Sequence, residues 1–398
     1  MNAPKLRFKE FNDEWCLKTL NELYTFKNGI NGDRTQFGKG IKFISVSDIL
    51  NNNYITYDKI KGLIDIDEKT LLENSVEFGD ILFQRSSETR KDIGMSNVYL
   101  DSKLSTFGGF VIRGKKNKDN KNNPSFINYL LRSQTVRKDI VFRGAGAQHY
   151  NIGQEDLKKV SINIPSLVEQ NRISYLLELL DKKIELQSKK IEDLKLLKKG
   201  LIDAEFTNSN YDEISLKNIL KERKLYSEKG LEYPHVTLSK NGIYDKEERY
   251  NRDFLVKSED KKYKITHLND LCYNPANLKF GVICLNEYGS AIFSPIYVTF
   301  EINSIANPKY IKYYTTRNNF INAIRKYEQG TVYERMAVAP EDFLKFNIKL
   351  PDIETQNKIV LKLAKLDKKI LLEENKLYKL QELKKGLMQK MFVWDLFY

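Results

Sequence analysis

Cations set among amides and aromatics are the residues of this chain best suited to chemistry. From Lys103 to Arg143 the sequence has Lys103, Arg113, Lys115, Lys116, Lys118, Lys121, Arg132, Arg137, Lys138 and Arg143, opposed only by Asp119 and Asp139. A second excess runs from Lys309 to Arg335 through Lys312, Arg317, Arg325 and Lys326, against Glu328 and Glu334. Such runs form either a solvated face or a surface that neutralises phosphates. Both lie inside globular stretches rather than in tails. With a net charge of +13 they imply an anionic partner.

Signatures of catalysis fail one by one. Asn274-Pro275-Ala276-Asn277 is superficially similar to the Asn-Pro-Pro-aromatic loop of adenine methyltransferases. It lacks the second proline and the aromatic that would stack an extruded base. The glycines of Phe26-Lys27-Asn28-Gly29 and Phe37-Gly38-Lys39-Gly40 have no acidic strand end after them, and no Gly-x-x-x-x-Gly-Lys-Ser/Thr loop occurs. His149, His235 and His267 are scattered, and Cys16, Cys272 and Cys284 show no paired metal-ligand spacing. Three separated cysteines suit a reducing cytoplasm. No apolar run is long enough to cross a bilayer, and Met1-Asn2-Ala3-Pro4-Lys5 has no signal pattern. The expectation is a cytoplasmic, non-catalytic chain that binds no metal or cofactor itself and has no membrane partner.

The elements that must position the cations are written twice. Residues 165–206 and 351–392 align without a gap at an offset of 186, through Pro165/Pro351, Gln170/Gln356 and Asn171/Asn357 to Phe206/Phe392. Between them lie the runs Leu180-Asp181-Lys182-Lys183-Ile184 and Leu366-Asp367-Lys368-Lys369-Ile370. A period this long is no solenoid repeat; each copy reads as a rod appended to its own domain. Ser166 with Glu169 has the form of a capping box, and Asp352 with Thr355 makes the equivalent cap, which marks Pro351-Asp352 as a helix start and not a nuclease signature. Ile173, Leu177, Leu180, Ile184, Ile191, Leu194 and Leu201 recur at steps of four and three, as do Ile359, Leu363, Leu366, Ile370, Leu377, Leu380 and Leu387. Gln187, Lys198, Glu373 and Lys384 interrupt the two seams at equivalent places, as register-fixing polar positions do. About 35 to 40 residues at 1.5 Å each give a rod of roughly 55 Å. The simplest pairing is intramolecular and antiparallel, which makes the pair a ruler between domains.

The domains are less alike than the rods. Val76 to Phe83 reads as a turn and a buried strand, with Leu268 to Tyr273 its counterpart; Gly109 to Ile112 and Pro295 to Phe300 read as strands, and residues 125–141 and 308–325 as helices. The offset of 186 also matches Gly144, Ile152, Glu155 and Asp156 to Gly330, Val338, Glu341 and Asp342. Between them stand Ala147-Gln148-His149-Tyr150 in one copy and Tyr333-Glu334-Arg335-Met336 in the other. Different side chains on a shared frame suit selective contacts, and Arg and Gln can read guanine and adenine with paired hydrogen bonds. Candidates for DNA contact are Arg143, Gln148, His149 and Tyr150 in the first domain and Tyr333 and Arg335 in the second. Arg85 joins them, as do Arg113, Lys115, Lys116, Arg317 and Arg325 from the basic stretches.

This order of motifs resembles the specificity subunit of type I restriction-modification systems over nearly the whole chain. The likeness rests on Pro4-Lys5-Leu6-Arg7-Phe8 with Trp15, on Gly79-Asp80-Ile81-Leu82-Phe83, and on the glycine loops. Those loops lead into Ile162-Asn163-Ile164-Pro165 and Ile348-Lys349-Leu350-Pro351, then Gln170-Asn171-Arg172-Ile173 and Gln356-Asn357-Lys358-Ile359. Thr355 departs from the glutamate frequent before the glutamine in that family. The resemblance implies an α+β chain of two target-recognition domains, 1–164 and 207–350. Two spacer helices, 165–206 and 351–398 with its C-terminal tail, would form an intramolecular antiparallel coiled coil. It further implies a DNA-binding subunit of bacterial defence, each domain reading half of a bipartite, asymmetric duplex target. Its partners would be two modification (methyltransferase) subunits and two restriction (motor-nuclease) subunits, which carry S-adenosylmethionine, ATP and Mg. The alternatives are a coiled-coil protein-interaction scaffold or a DNA adenine methyltransferase.

Overall fold

The computed structural model describes residues 4, 6–146, 149–207, 210–227, 233–240, 242–245, 262–329 and 336–392. The chain divides into two compact units, Met1–Lys189 with Glu374–Tyr398 and Lys190–Glu373. Both divisions fall inside the long helices Leu167–Phe206 and Ile353–Met391, so each unit contains part of each helix. Among the described residues no helix is long and apolar enough to cross a membrane.

In the first unit an antiparallel sheet runs in the order Tyr24–Asn28, Val111–Lys116, Ile81–Gln84, Ser96–Val98. Ile81 and Phe83 face the larger core with Trp15, Phe126, Leu130 and Leu177, while Leu82 faces a smaller one with Ile44, Tyr99 and Phe107. Covered on both sides, the strand is a continuous apolar run without polar alternation. The second unit repeats the order with Leu220–Glu222, Val298–Ile302, Leu271–Tyr273 and Ile283–Leu285. Leu271 and Tyr273 join Phe300, Tyr310 and Phe343, and Cys272 turns to Val236, Cys284 and Phe293. Both central strands leave a left-handed turn, at Gly79 (φ 89°) and at Asn269 (φ 69°). Asparagine is among the few residues with a Cβ that enter this region readily.

Each unit opens with a strand paired to the one before its long helix: Cys16–Thr19 with Ser161–Ile164, and Asp212–Ser215 with Asn347–Leu350. The stretches read as single helices are each two, Pro124–Arg132 and Gln134–Arg143, then Pro308–Thr315 and Asn318–Ile324. They break at Ser133 and Arg317, whose extended backbones (ψ 153° and 142°) start the second helix of each pair. The strands read from Gly109 and Pro295 begin only at Val111 and Val298, because the preceding residues form turns. One cap also differs from expectation. Ser166 Oγ accepts from Glu169 N, but the Glu169 carboxylate is held by Arg7, whose Nε and Nη2 each donate at 2.7 Å. A charged fork outcompetes a neutral backbone N–H for a buried carboxylate. Asp352 caps as read, accepting from Thr355 N at 2.9 Å.

Within the first unit Ile173 and Leu177 share the core with Met391 and Phe392, and Leu387 packs beside them. Within the second, Leu194, Leu366 and Ile370 cluster with Leu201, while Ile359 and Leu363 enter the domain core. Lys190 pairs with Glu373 and Lys362 with Glu205, both at 2.9 Å. In each unit low numbers of one helix meet high numbers of the other, so the helix segments run antiparallel. Leu180 and Ile191 are buried too, and Ile184, Leu377 and Leu380 are half-buried.

The repeated phenylalanine closes each core from the helix end. Phe392 packs on Phe126 at 5.7 Å between centroids, and Phe206 on Tyr310 at 4.8 Å. Phe392→Ala and Phe206→Ala should each cost about 3–5 kcal/mol. Native-state hydrogen exchange should locate the loss in residues 81–116 for the first and in residues 271–302 for the second.

Candidate functional site

The loop that carries the candidate readers is held by its ends. In the first unit Ala145 and Asn151 exchange backbone hydrogen bonds at 3.0 and 2.8 Å, Tyr150–Asn151 pairs with Ser86–Ser87, and Ile152 N donates to Arg85 O at 3.0 Å. His149 is exposed at the tip, and Tyr150 is half-buried against the core. In the second unit Gln329 and Ala337 make the same bridge at 2.9 and 3.0 Å, and Val338 N donates to Pro275 O at 3.3 Å. One frame thus presents two different loops. Gln148, Tyr333 and Arg335 lie outside the described residues.

The cations divide into surface and interior. Arg85 is exposed, with Nη1 3.4 Å from Gly109 O. Lys115 pairs with Glu77 at 2.8 Å, Arg143 with Asp139 at 2.9 Å, and exposed Arg325 with Glu328 at 3.4 Å. Such surface pairs are weak and can exchange a carboxylate for a phosphate. Half-buried Lys116 reaches Asn122 O at 3.4 Å, and desolvation holds its ammonium below the usual lysine range. Arg113 is 6% exposed; its guanidinium donates to Ser75 O beside the Phe107 ring, and burial lowers its pKa. Arg317 stacks 4.0 Å over Tyr314 and 4.8 Å over Phe206. Arg132 and Arg137 likewise donate to the carbonyls of Ser96 and Ile93. Arg113, Arg132 and Arg137 of the first run and Arg317 of the second therefore fasten backbone, while the exposed cations of both runs face solvent.

Position along a run cannot tell these groups apart. Asn274, in the loop weighed against a methyltransferase motif, caps a short helix through Ala276 N and Asn277 N at 3.1 and 3.2 Å. Among the described residues there is no cluster of His, Cys, Asp or Glu that could hold a metal.

Two polar clusters fix the domains to the helices. Gln170 Oε1 accepts from Asn123 N at 2.9 Å and its Nε2 donates to Pro165 O at 2.9 Å; Gln356 does the same with Asn307 N and Pro351 O at 2.7 and 2.8 Å. Asn171 and Asn357 accept from the Asn123 and Asn307 side chains. One layer deeper, Tyr129 donates to Asp181 at 2.7 Å and Lys384 pairs with the same carboxylate. Tyr313 donates to Asp367 at 2.7 Å, and Lys198 pairs with it. In the sequence Lys198 and Lys384 stand only as interruptions of the seams, because no local pattern names their partners. The repeated Asp181/Asp367 was the available signal.

Known proteins carry the same construction. Residues 12–196 match the family described as the type I restriction modification DNA specificity domain. That stretch, just under half of the chain, spans the first domain and part of the long helix after it, and is similar to that family. A Methanocaldococcus jannaschii protein assigned as the MjaX type I restriction enzyme specificity subunit is 26% identical over 220 residues, covering 54% of this chain and 51% of that protein. The matched stretch spans about half of that relative's length. The S subunit of the type I restriction-modification system of M. genitalium superposes with a TM-score of 0.59 at 15% identity, over 98% of this chain and 99% of that one. A chain solved in work on complex assembly and conformational transition of the type I R-M system gives 0.57 at 15% identity, covering 96% and 98%. Over nearly its full length the chain has the α+β fold of a type I specificity subunit.

The division of the arginines is testable without DNA. Arg113→Ala strands a buried carbonyl and should lower stability by about 1–3 kcal/mol. Arg85→Ala removes an exposed side chain and should leave thermal unfolding unchanged.

Proposed function

We propose that this chain is a non-catalytic DNA reader in which each unit recognises one half of a bipartite, asymmetric target. The observation that carries this reading is the duplicated frame: matched bridges at Ala145/Asn151 and Gln329/Ala337 carry unlike residues between matched strands and helices. A common mount with different tips suits contacts that specify bases, while phosphate contacts only position. Methyl transfer and cleavage belong in this reading to partner subunits, which bring S-adenosylmethionine, ATP and Mg. Exposed apolar positions recur on the long helices, at Leu167/Ile353, Tyr175/Leu361, Leu186/Leu372 and Leu197/Leu383. They supply a docking surface for two modification subunits and, through them, two motor-nuclease subunits.

Binding of the full chain with its modification subunits to random and genomic duplex, at two salt concentrations, tests the reading against a protein scaffold. A reader's log affinity falls linearly with log salt; indifference to DNA would reject it. The chain alone, incubated with labelled S-adenosylmethionine and DNA, should transfer no methyl groups. Arg335→Ala should cost about 1–3 kcal/mol of binding if that residue makes a bidentate base contact.

In this reading helix length encodes the gap between half-sites. Four residues inserted after Lys189 lengthen the helix by about 6 Å at 1.5 Å per residue, close to two base-pair steps at 3.4 Å each. Genome-wide mapping of methylated sites should show unchanged half-sites at a changed gap. Changed half-sites at the old gap would show that the helices do not set it.

A further inference from the structure

The two units share one exposed feature that the reading loops do not explain. Residues 108–111 form a β-turn closed by Val111 N donating to Gly108 O at 2.8 Å, and residues 294–297 form its equivalent, with Tyr297 N on Ser294 O at 3.2 Å. Each turn follows a fully buried phenylalanine, Phe107 or Phe293, and leads into a buried strand residue, Ile112 or Val298. At the third position, where small polar residues and glycine predominate, stand Phe110, 71% exposed, and Ile296, 61% exposed. An apolar tip held in water by both copies of a frame gains nothing from burial on folding.

The mounts are stiff. A Cβ on Gly109 would meet Asn31 Oδ1 at 1.9 Å, so the turn lies tight on its neighbour, and Pro295 presets the backbone angle at the equivalent place. Phe110 also belongs to the candidate interface. Its carbonyl accepts from Arg85 N at 2.9 Å, and the Arg85 carbonyl accepts in turn from Ile152 N, beyond the reading loop. The exposed Arg85 guanidinium lies against Gly109 O. An aromatic tip with a cation at its base, on a chain of net charge +13, fits a stacked, anionic polymer. Apolar side chains that enter DNA between base steps unstack and kink the duplex.

Resting on the DNA-reading proposal above, we infer that Phe110 and Ile296 are apolar wedges that insert at a base step, one in each half-site. Their contribution to specificity is indirect, because steps differ in the cost of unstacking.

The test uses the full chain assembled with its modification subunits, without S-adenosylmethionine. Methylation mapping supplies the motif, and synthetic duplexes carry 2-aminopurine at successive steps other than the methylated adenines. The wild type should brighten the probe at one step in each half-site. Phe110→Ala should abolish the signal in one half, retain it in the other and weaken binding by about ten-fold, the scale of one lost base-pair contact. Ile296→Ala should do the converse, and Phe110→Leu should keep most of the signal. Undiminished brightening in Phe110→Ala, or loss of the modification subunits in place of the optical signal, would overturn the inference while leaving the reading of DNA intact. A motif duplex bound no better than random duplex by the wild type would remove both.

Discussion

A carboxylate inside a leucine seam has to be satisfied from outside its own helix, and Asp181, 8% exposed, is satisfied twice. Tyr129 reaches it from the domain and Lys384 from the other long helix, with the lysine 5.5 Å from the tyrosine ring. Desolvation and the neighbouring carboxylate push the Tyr129 phenol up, so it stays a donor. A single charge thereby couples helix register to domain orientation. Loss of either partner would leave a buried charge poorly compensated, which costs more than the intact pair contributes. Asp367, Tyr313 and Lys198 repeat the set, with 5.4 Å between lysine and ring. Each long helix supplies the aspartate of one cluster and the lysine of the other.

This constraint separates what is rigid from what is free to differ. Gln170 and Gln356, both buried, hold by its backbone the helix that follows Val111–Lys116 or Val298–Ile302, and the side chains of Asn123 and Asn307 cap that helix. The bridges at Ala145/Asn151 and Gln329/Ala337 then hold only the ends of the two candidate loops. Main-chain hydrogen bonds are indifferent to side-chain identity. The residues between can change without disturbing the frame.

Much of the frame was legible in the sequence because it is duplicated. Matched Gln-Asn pairs, seam leucines and terminal phenylalanines at a fixed offset show which positions recur, and recurrence at steps of four and three shows a helix. The central strands were readable as short apolar runs. The helix breaks at Ser133 and Arg317 were not, because an apolar face continues across both and only the backbone angle changes. The turns at Phe110 and Ile296 were not legible for a related reason: an exposed apolar residue before a buried strand looks like the strand's first residue. The site was least legible at its arginines. Arg85 and Arg113 have the same charge and chemistry, yet one lies in water and the other donates to Ser75 O. That difference depends on which carbonyl the fold leaves unpaired, which no local pattern reports.

The separation of cores gives the duplication its value. The larger and smaller clusters of the first unit share no residue with those of the second. A substitution in one loop therefore perturbs packing that the other loop does not use, and effects at sites that share no partners add. A single continuous core would couple the halves, since strain in a densely packed interior spreads to its neighbours. Each unit instead closes its own core, and each fastens its own helix segments through an aspartate, a tyrosine and a lysine.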